Sequence, residues 1–133
     1  YDYGIFSAIQ IAGIVALRQC NEDVAQQAAI YQNRRDVLCE AMERIGWPVI
    51  PPKAGMFVWA KIPEPFHRMG SMEFSIQMMN RANVALAPGI GFGEEGEGYV
   101  RIALVENEHR IRQALRQMKR AMADMRNQLD QQV

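Results

Sequence analysis

A two-layer α/β sandwich, in which helices pack a small mixed β-sheet, is the fold class this sequence predicts, and three observations predict it. Apolar residues recur at helical spacing in four stretches. Between the later ones lie short runs rich in branched and aromatic residues, such as Met56 to Ile62 and Tyr99 to Leu104. Glycines and prolines punctuate the junctions, most densely between Pro88 and Gly98. Strands alternating with helices in one small domain are layered as a sheet with helices on it, and a helical crossover between strands favours a mixed sheet. The whole chain, residues 1–133, reads as one domain.

The elements follow in order. Ile5 to Cys20 is a helix apolar nearly all round, which calls for burial on several sides. The chain itself is too short to supply that covering. Asn21 is suited to cap a second helix running to Ile45, with Glu22 and Asp23 in its first turn. Its stripe of Val24, Ala28, Tyr31, Leu38, Met42 and Ile45 is interrupted by Arg35, and Gly46 ends it. Val49 and Ile50 can begin a strand that Pro51 and Pro52 stop. Met56 to Ile62 is a strand by composition. Ser71 caps a third helix that ends at Asn83, and Val84 to Ala87 is a short strand. The Tyr99–Leu104 strand alternates, with Val100, Ile102 and Leu104 toward the core and Tyr99, Arg101 and Ala103 away from it. A last helix opens at Glu106 or Asn107. Its stripe is Ile111, Leu115, Met118, Met122, Met125 and Leu129, a spacing that suits a coiled coil but equally one helix lying across a sheet, the reading preferred here.

Composition excludes several functions. Fifteen basic residues balance fifteen acidic ones, so nothing marks a general partner in nucleic acid or an anionic membrane. The Ile5–Leu17 run is too short, and too broken by Ser7, Gln10 and Gly13, to span a membrane. Cys20 and Cys39 lack metal or redox spacing and read as reduced thiols of a cytoplasmic protein. His67 and His109 have no companions at ligand spacing, so no metal site is expected. No serine sits in a nucleophile elbow. Lys53, Lys61 and Lys119 lack the apolar flanks of a catalytic amine. Because the chain opens on Tyr1 rather than methionine, it is expected to be a fragment of a longer protein.

One residue stands out. Arg101 lies on the outer face of its strand, directly after a loop that holds five of the ten glycines. The guanidinium fork matches a carboxylate or phosphate in bidentate fashion, and glycine-rich loops let backbone approach a ligand. The loop is not a phosphate motif: Gly89-Ile90-Gly91-Phe92-Gly93 has the wrong spacing, and Glu94, Glu95 and Glu97 would repel an anion. Those carboxylates read as a solvated turn.

Four motifs occur in series: Tyr3-Gly4 before an apolar helix, Lys53-Ala54-Gly55-Met56-Phe57-Val58-Trp59, Pro88-Gly89 with Phe92-Gly93, and Gly98-Tyr99-Val100-Arg101-Ile102-Ala103-Leu104. The series resembles the C-terminal small domain of class I/II aminotransferases, the fold-type I enzymes that use pyridoxal 5'-phosphate, over essentially the whole chain. The final strand, with Glu106-Asn107 and Arg110 to Ala114, looks most like the bacterial alanine aminotransferase branch, with diaminopimelate and aspartate enzymes as neighbours. The resemblance implies that Arg101 binds the substrate α-carboxylate and that Gly55 and Met56 lie beside the active site. It implies that Asp2 and Tyr3 belong to a loop near the partner subunit's site in a homodimer. Amino acids and 2-oxo acids are the implied substrates. The Schiff-base lysine and most cofactor ligands would belong to a large domain N-terminal to this chain, so the chain alone is expected to be inactive and to bind no cofactor. Two other readings stand beside it: a ligand-sensing aminotransferase-like domain of a transcription regulator, and a non-catalytic α/β interaction module in which Arg101 is an ordinary surface residue.

Overall fold

The computed structural model describes residues 4–131. By internal contacts the chain divides into two compact units, Tyr1–Gln32 and Asn33–Val133. The first holds α1 (Ser7–Gln19) and the opening of α2 (Asn21–Arg44). No residue of α1 is buried, and Ile9, Ile11, Ile14 and Val15 are all exposed. The all-apolar helix predicted from sequence is there, with its apolar side chains exposed.

The second unit contains the rest of α2, then β1 (Phe57–Lys61), α3 (Gly70–Ala82), β2 (Ala87–Pro88), β3 (Tyr99–Ala103) and α4 (Glu108–Asp130). It is the two-layer α/β arrangement expected. The sheet order is β1-β3-β2, and β3 pairs antiparallel with both neighbours. This corrects the mixed sheet. The α3 crossover does make β1 and β2 run the same way, as strand–helix–strand alternation implies. The third strand then enters between them instead of adding at an edge, so every ladder is antiparallel.

Two strand assignments also change. No strand forms around Val49 and Ile50, where Pro48, Pro51 and Pro52 remove ladder donors and Ile50 stays exposed. The Val84–Ala87 strand shrinks to β2. Val84 N–H is still turned back to the Met78 carbonyl at the end of α3, and Pro88 has no N–H to extend the pairing.

The core lies between the inner face of the sheet and the helices. Val58, Ala60, Val100 and Leu104 are buried from the sheet side, and Phe74, Met78 and Ala82 from α3. Ile111, Leu115, Met118, Met122 and Met125 supply the α4 stripe as predicted, with Leu129 half-buried at its end. Each such side chain is worth about 1.5–3 kcal/mol when fully buried. Trp47 closes one end: its ring meets Phe74 edge-on at 5.5 Å, and its indole N–H donates to the Lys61 carbonyl at 2.6 Å.

The helix ends confirm some caps and move two. Asn83 stops α3 in the left-handed conformation (φ 52°), and the Asn107 side chain caps α4 by accepting from Arg110 N–H at 3.1 Å. Ser71 is not the cap of α3 but its second residue, and Asn21 is the first residue of α2 and not its cap. At the other end of β3, an Arg34 Nη donates to the Leu104 and Val105 carbonyls, both at 3.1 Å, and the Asn33 amide donates to Glu108 at 2.8 Å. These bonds tie the middle of α2 to the junction between β3 and α4.

Candidate functional site

Arg101 occupies the middle of the central strand, opposite Trp59 on β1 and Ala87 on β2. Directly opposed residues share a face, so the outer surface collects Phe57, Trp59, Lys61, Tyr99, Arg101 and Ala103. The inner face carries Val100 and Leu104 into the core. The alternation read from sequence is therefore the alternation observed.

The guanidinium lies between two rings. Its carbon is 4.0 Å from the centre of the Phe57 ring and 4.3 Å from that of Phe92. Phe92 also meets Trp59 edge-on, at 5.3 Å and 78°. Among the described residues no carboxylate lies within 4.0 Å of the Arg101 nitrogens, and none of the hydrogen bonds is made by its side chain. Half-buried, stacked and without an ionic partner, it is a cation whose in-plane donors are available. An open cleft of about 340 Å³, lined by Trp59, Phe92, Glu95, Gly96 and Tyr99, lies on this same face. A larger cleft of about 570 Å³ runs between residues 83–86 and α4 and contains none of the predicted site residues.

The glycine loop positions Phe92. It consists of two short 3-10 turns, Gly89–Phe92 and Glu94–Gly96. Gly89 and Gly96 touch backbone to backbone at its base. A Cβ on Gly89 would strike the Gly96 carbonyl and come within 2.6 Å of the Tyr99 carbonyl oxygen. Ser71 and Glu97 lock the base to α3. Ser71 N–H donates to Glu97 at 2.6 Å, Ser71 Oγ–H donates at 3.0 Å, and the same hydroxyl accepts from Ile90 N–H at 3.1 Å. Gly98 N–H donates to the carboxylate at 2.9 Å. The N–H bonds from Gly98 and Ser71 hold the Glu97 carboxyl below its usual range. Thus Glu97 is exposed, as the sequence suggests, but it is more than a solvated turn carboxylate. It is the anion at the start of α3, serving N–H groups that no residue of that helix caps.

The remaining predicted residues separate. Gly55 adopts φ +86° just before β1, in open space, and the Met56 carbonyl accepts from Leu104 N–H at 2.9 Å. Both stand at the end of the strand whose Phe57 stacks on Arg101. Asp2 and Tyr3 lie outside the described residues. Cys20 and Cys39 are free thiols, and burial pushes the Cys39 thiol up. Among the described residues no group of three or more His, Cys, Asp and Glu side chains could hold a metal ion, and no helix is long and apolar enough to cross a membrane.

Pyridoxal phosphate does not fit the described residues by themselves. Lys53, Lys61 and Lys119 are all exposed. The glycine loop cannot cradle a phosphate, because Ile90, Gly93, Gly96, Glu97 and Gly98 spend their N–H groups inside the protein. The Arg101 edge, with its in-plane donors available, has the chemistry to take a planar anionic group.

The second unit presents on its sheet an arginine that is unpaired among the described residues, and residues 4–118 match the family model of class I and II aminotransferases. The chain belongs to that family. It is 52% identical over 122 residues to glutamate-pyruvate aminotransferase AlaC of Escherichia coli, a match covering 90% of this chain and 29% of that protein. It is 44% identical over 118 residues to LL-diaminopimelate aminotransferase of Halothermothrix orenii, covering 89% of this chain and 30% of the relative. Among solved structures, BacF from Bacillus subtilis superposes with a TM-score of 0.82 at 31% identity, over 88% of this chain and 30% of that one. The chain thus spans about three tenths of the length of the relatives it matches.

Sequence reasoning missed the Phe57–Phe92 sandwich, the Ser71–Glu97 lock and the Arg34 brace. The first had a visible signal, a phenylalanine inside a glycine loop beside a strand that carries arginine. The other two join residues 26 and about 70 positions apart, with no local pattern to mark them.

Proposed function

We propose that this chain is the C-terminal small domain of an aminotransferase that moves an amino group between an amino acid, alanine or glutamate, and a 2-oxo acid. In this reading Arg101 grips the substrate α-carboxylate through its in-plane N–H donors, and Gly55 and Met56 border the bound substrate. Its role is to orient the substrate, not to transfer protons. Pyridoxal phosphate, the cofactor of the whole enzyme, is held by residues outside this chain. The whole enzyme is a homodimer of cytoplasmic amino acid metabolism, with Asp2 and Tyr3 turned toward the partner's site.

The observation that carries the reading is a half-buried guanidinium with a ring on each face and, among the described residues, no carboxylate to neutralise it. An arginine of purely structural use would be paired or would reach into solvent. Arg101→Lys in the full-length enzyme tests it. Lysine keeps the charge and loses the fork. Loss of a charge-assisted bidentate contact costs about 1.5–3 kcal/mol, or roughly ten- to a hundredfold in kcat/KM. Folding holds, since Val100 and Leu104 carry the core on the opposite face. Wild-type kcat/KM in the lysine variant would refute the assignment.

A further inference from the structure

We infer that Phe92 is a positioning residue for Arg101, one half of a two-ring clamp that leaves the guanidinium one mode of binding. The inference rests on the reading of Arg101 as the carboxylate-binding group. All five N–H donors of a guanidinium lie in its plane. Phe57 and Phe92, at 4.0 and 4.3 Å, cover its two faces and leave its edge open. Water is thereby kept from the faces, the orientation of the plane is set before a ligand arrives, and a charge-assisted bond at the edge gains from the lower local polarity.

The two rings are held differently. Phe57 is fixed in β1 by pairing opposite Ala103. Phe92 closes the first 3-10 turn of the glycine loop and remains 50% exposed, with one side of its ring against the Arg101 guanidinium. Trp59 supports it edge-on from the neighbouring strand. The loop that carries it is closed at its base by the Gly89–Gly96 contact and fastened to α3 through Ser71 and Glu97. The glycine density is explained in this way: it serves to set a ring against Arg101, not to bind phosphate.

An aliphatic residue in place of Phe92 would keep some apolar cover but lose the negative ring face that attracts the cation. In the full-length enzyme, Phe92→Leu is expected to lower kcat/KM for the amino acid about three- to tenfold, chiefly through KM. Phe92→Tyr, which keeps the ring, should stay within about twofold of wild type. In an Arg101→Lys background Phe92→Leu should add little further loss, because the two residues act as one unit. A Phe92→Leu loss that persists undiminished in that background would overturn the clamp, as would equal damage from leucine and tyrosine. So would wild-type kinetics for Phe92→Leu alongside a damaged Arg101→Lys enzyme, and that result leaves the role of Arg101 standing. Wild-type kinetics for Arg101→Lys itself would remove the underlying reading, and the clamp with it.

Discussion

Two glycines of one loop should respond in opposite ways to the same substitution. Gly89→Ala puts a methyl group where the Gly96 carbonyl already stands and 2.6 Å from the Tyr99 carbonyl oxygen. Both obstacles are backbone, and the second belongs to β3, so no side chain can swing aside to relieve the clash. Forcing a methyl into such a place costs about 1–3 kcal/mol, and more where neighbours cannot shift. For a chain of this length each kcal/mol lowers the melting temperature by about 3–5 °C, so Gly89→Ala should melt roughly 3–15 °C below wild type. Gly91→Ala, two residues on, meets nothing within 4 Å. It lies in the Gly89–Phe92 turn at no positive φ, and losing a glycine there restricts the unfolded chain, which favours folding by about 0.4–1 kcal/mol. Thermal unfolding of wild type and both variants under one buffer condition makes the comparison. Equal melting temperatures for the two alanine variants would refute the close approach of Gly89 to Gly96, and with it the account of how the loop holds Phe92.

The other expectations are these. The Glu97 carboxyl is depressed when folded, so its stabilisation is fully present above the ordinary glutamate range near about 4.3 and fades as pH falls through the lower folded value. The gap in melting temperature between wild type and Glu97→Gln should therefore narrow on going from neutral pH to acid below that range, and a gap independent of pH would contradict the Ser71–Glu97 lock. Helix α1 exposes Ile9, Ile11, Ile14, Val15 and Leu17, an apolar surface of the kind that binds a partner. The 133-residue chain should therefore self-associate and bind a hydrophobic dye, and sedimentation as a monomer at high concentration without dye binding would argue against this.

Local pattern determined a good deal about this protein. All four helices stand where spacing and end signals placed them, within one or two residues. The α4 stripe is buried, and β3 turns Val100 and Leu104 inward and Arg101 outward. These are consequences of the 3.6- and 2-residue periods, which any window of the sequence displays. The order of four short motifs was enough to indicate the family. Tertiary structure decided what depends on residues distant in sequence. Sheet order is one case: hydrophobic alternation marks a strand but not its neighbours, and so β3 could enter between β1 and β2 unannounced. Glu97 is another. A glutamate in a turn looks solvated until α3 is folded 26 residues away with its first N–H groups unmet. For Arg101, the sequence put it on the outer face of its strand. Only the folded loop, closing Gly89 onto Gly96, brings Phe92 across to face Phe57 and leaves the guanidinium stacked with its edge free.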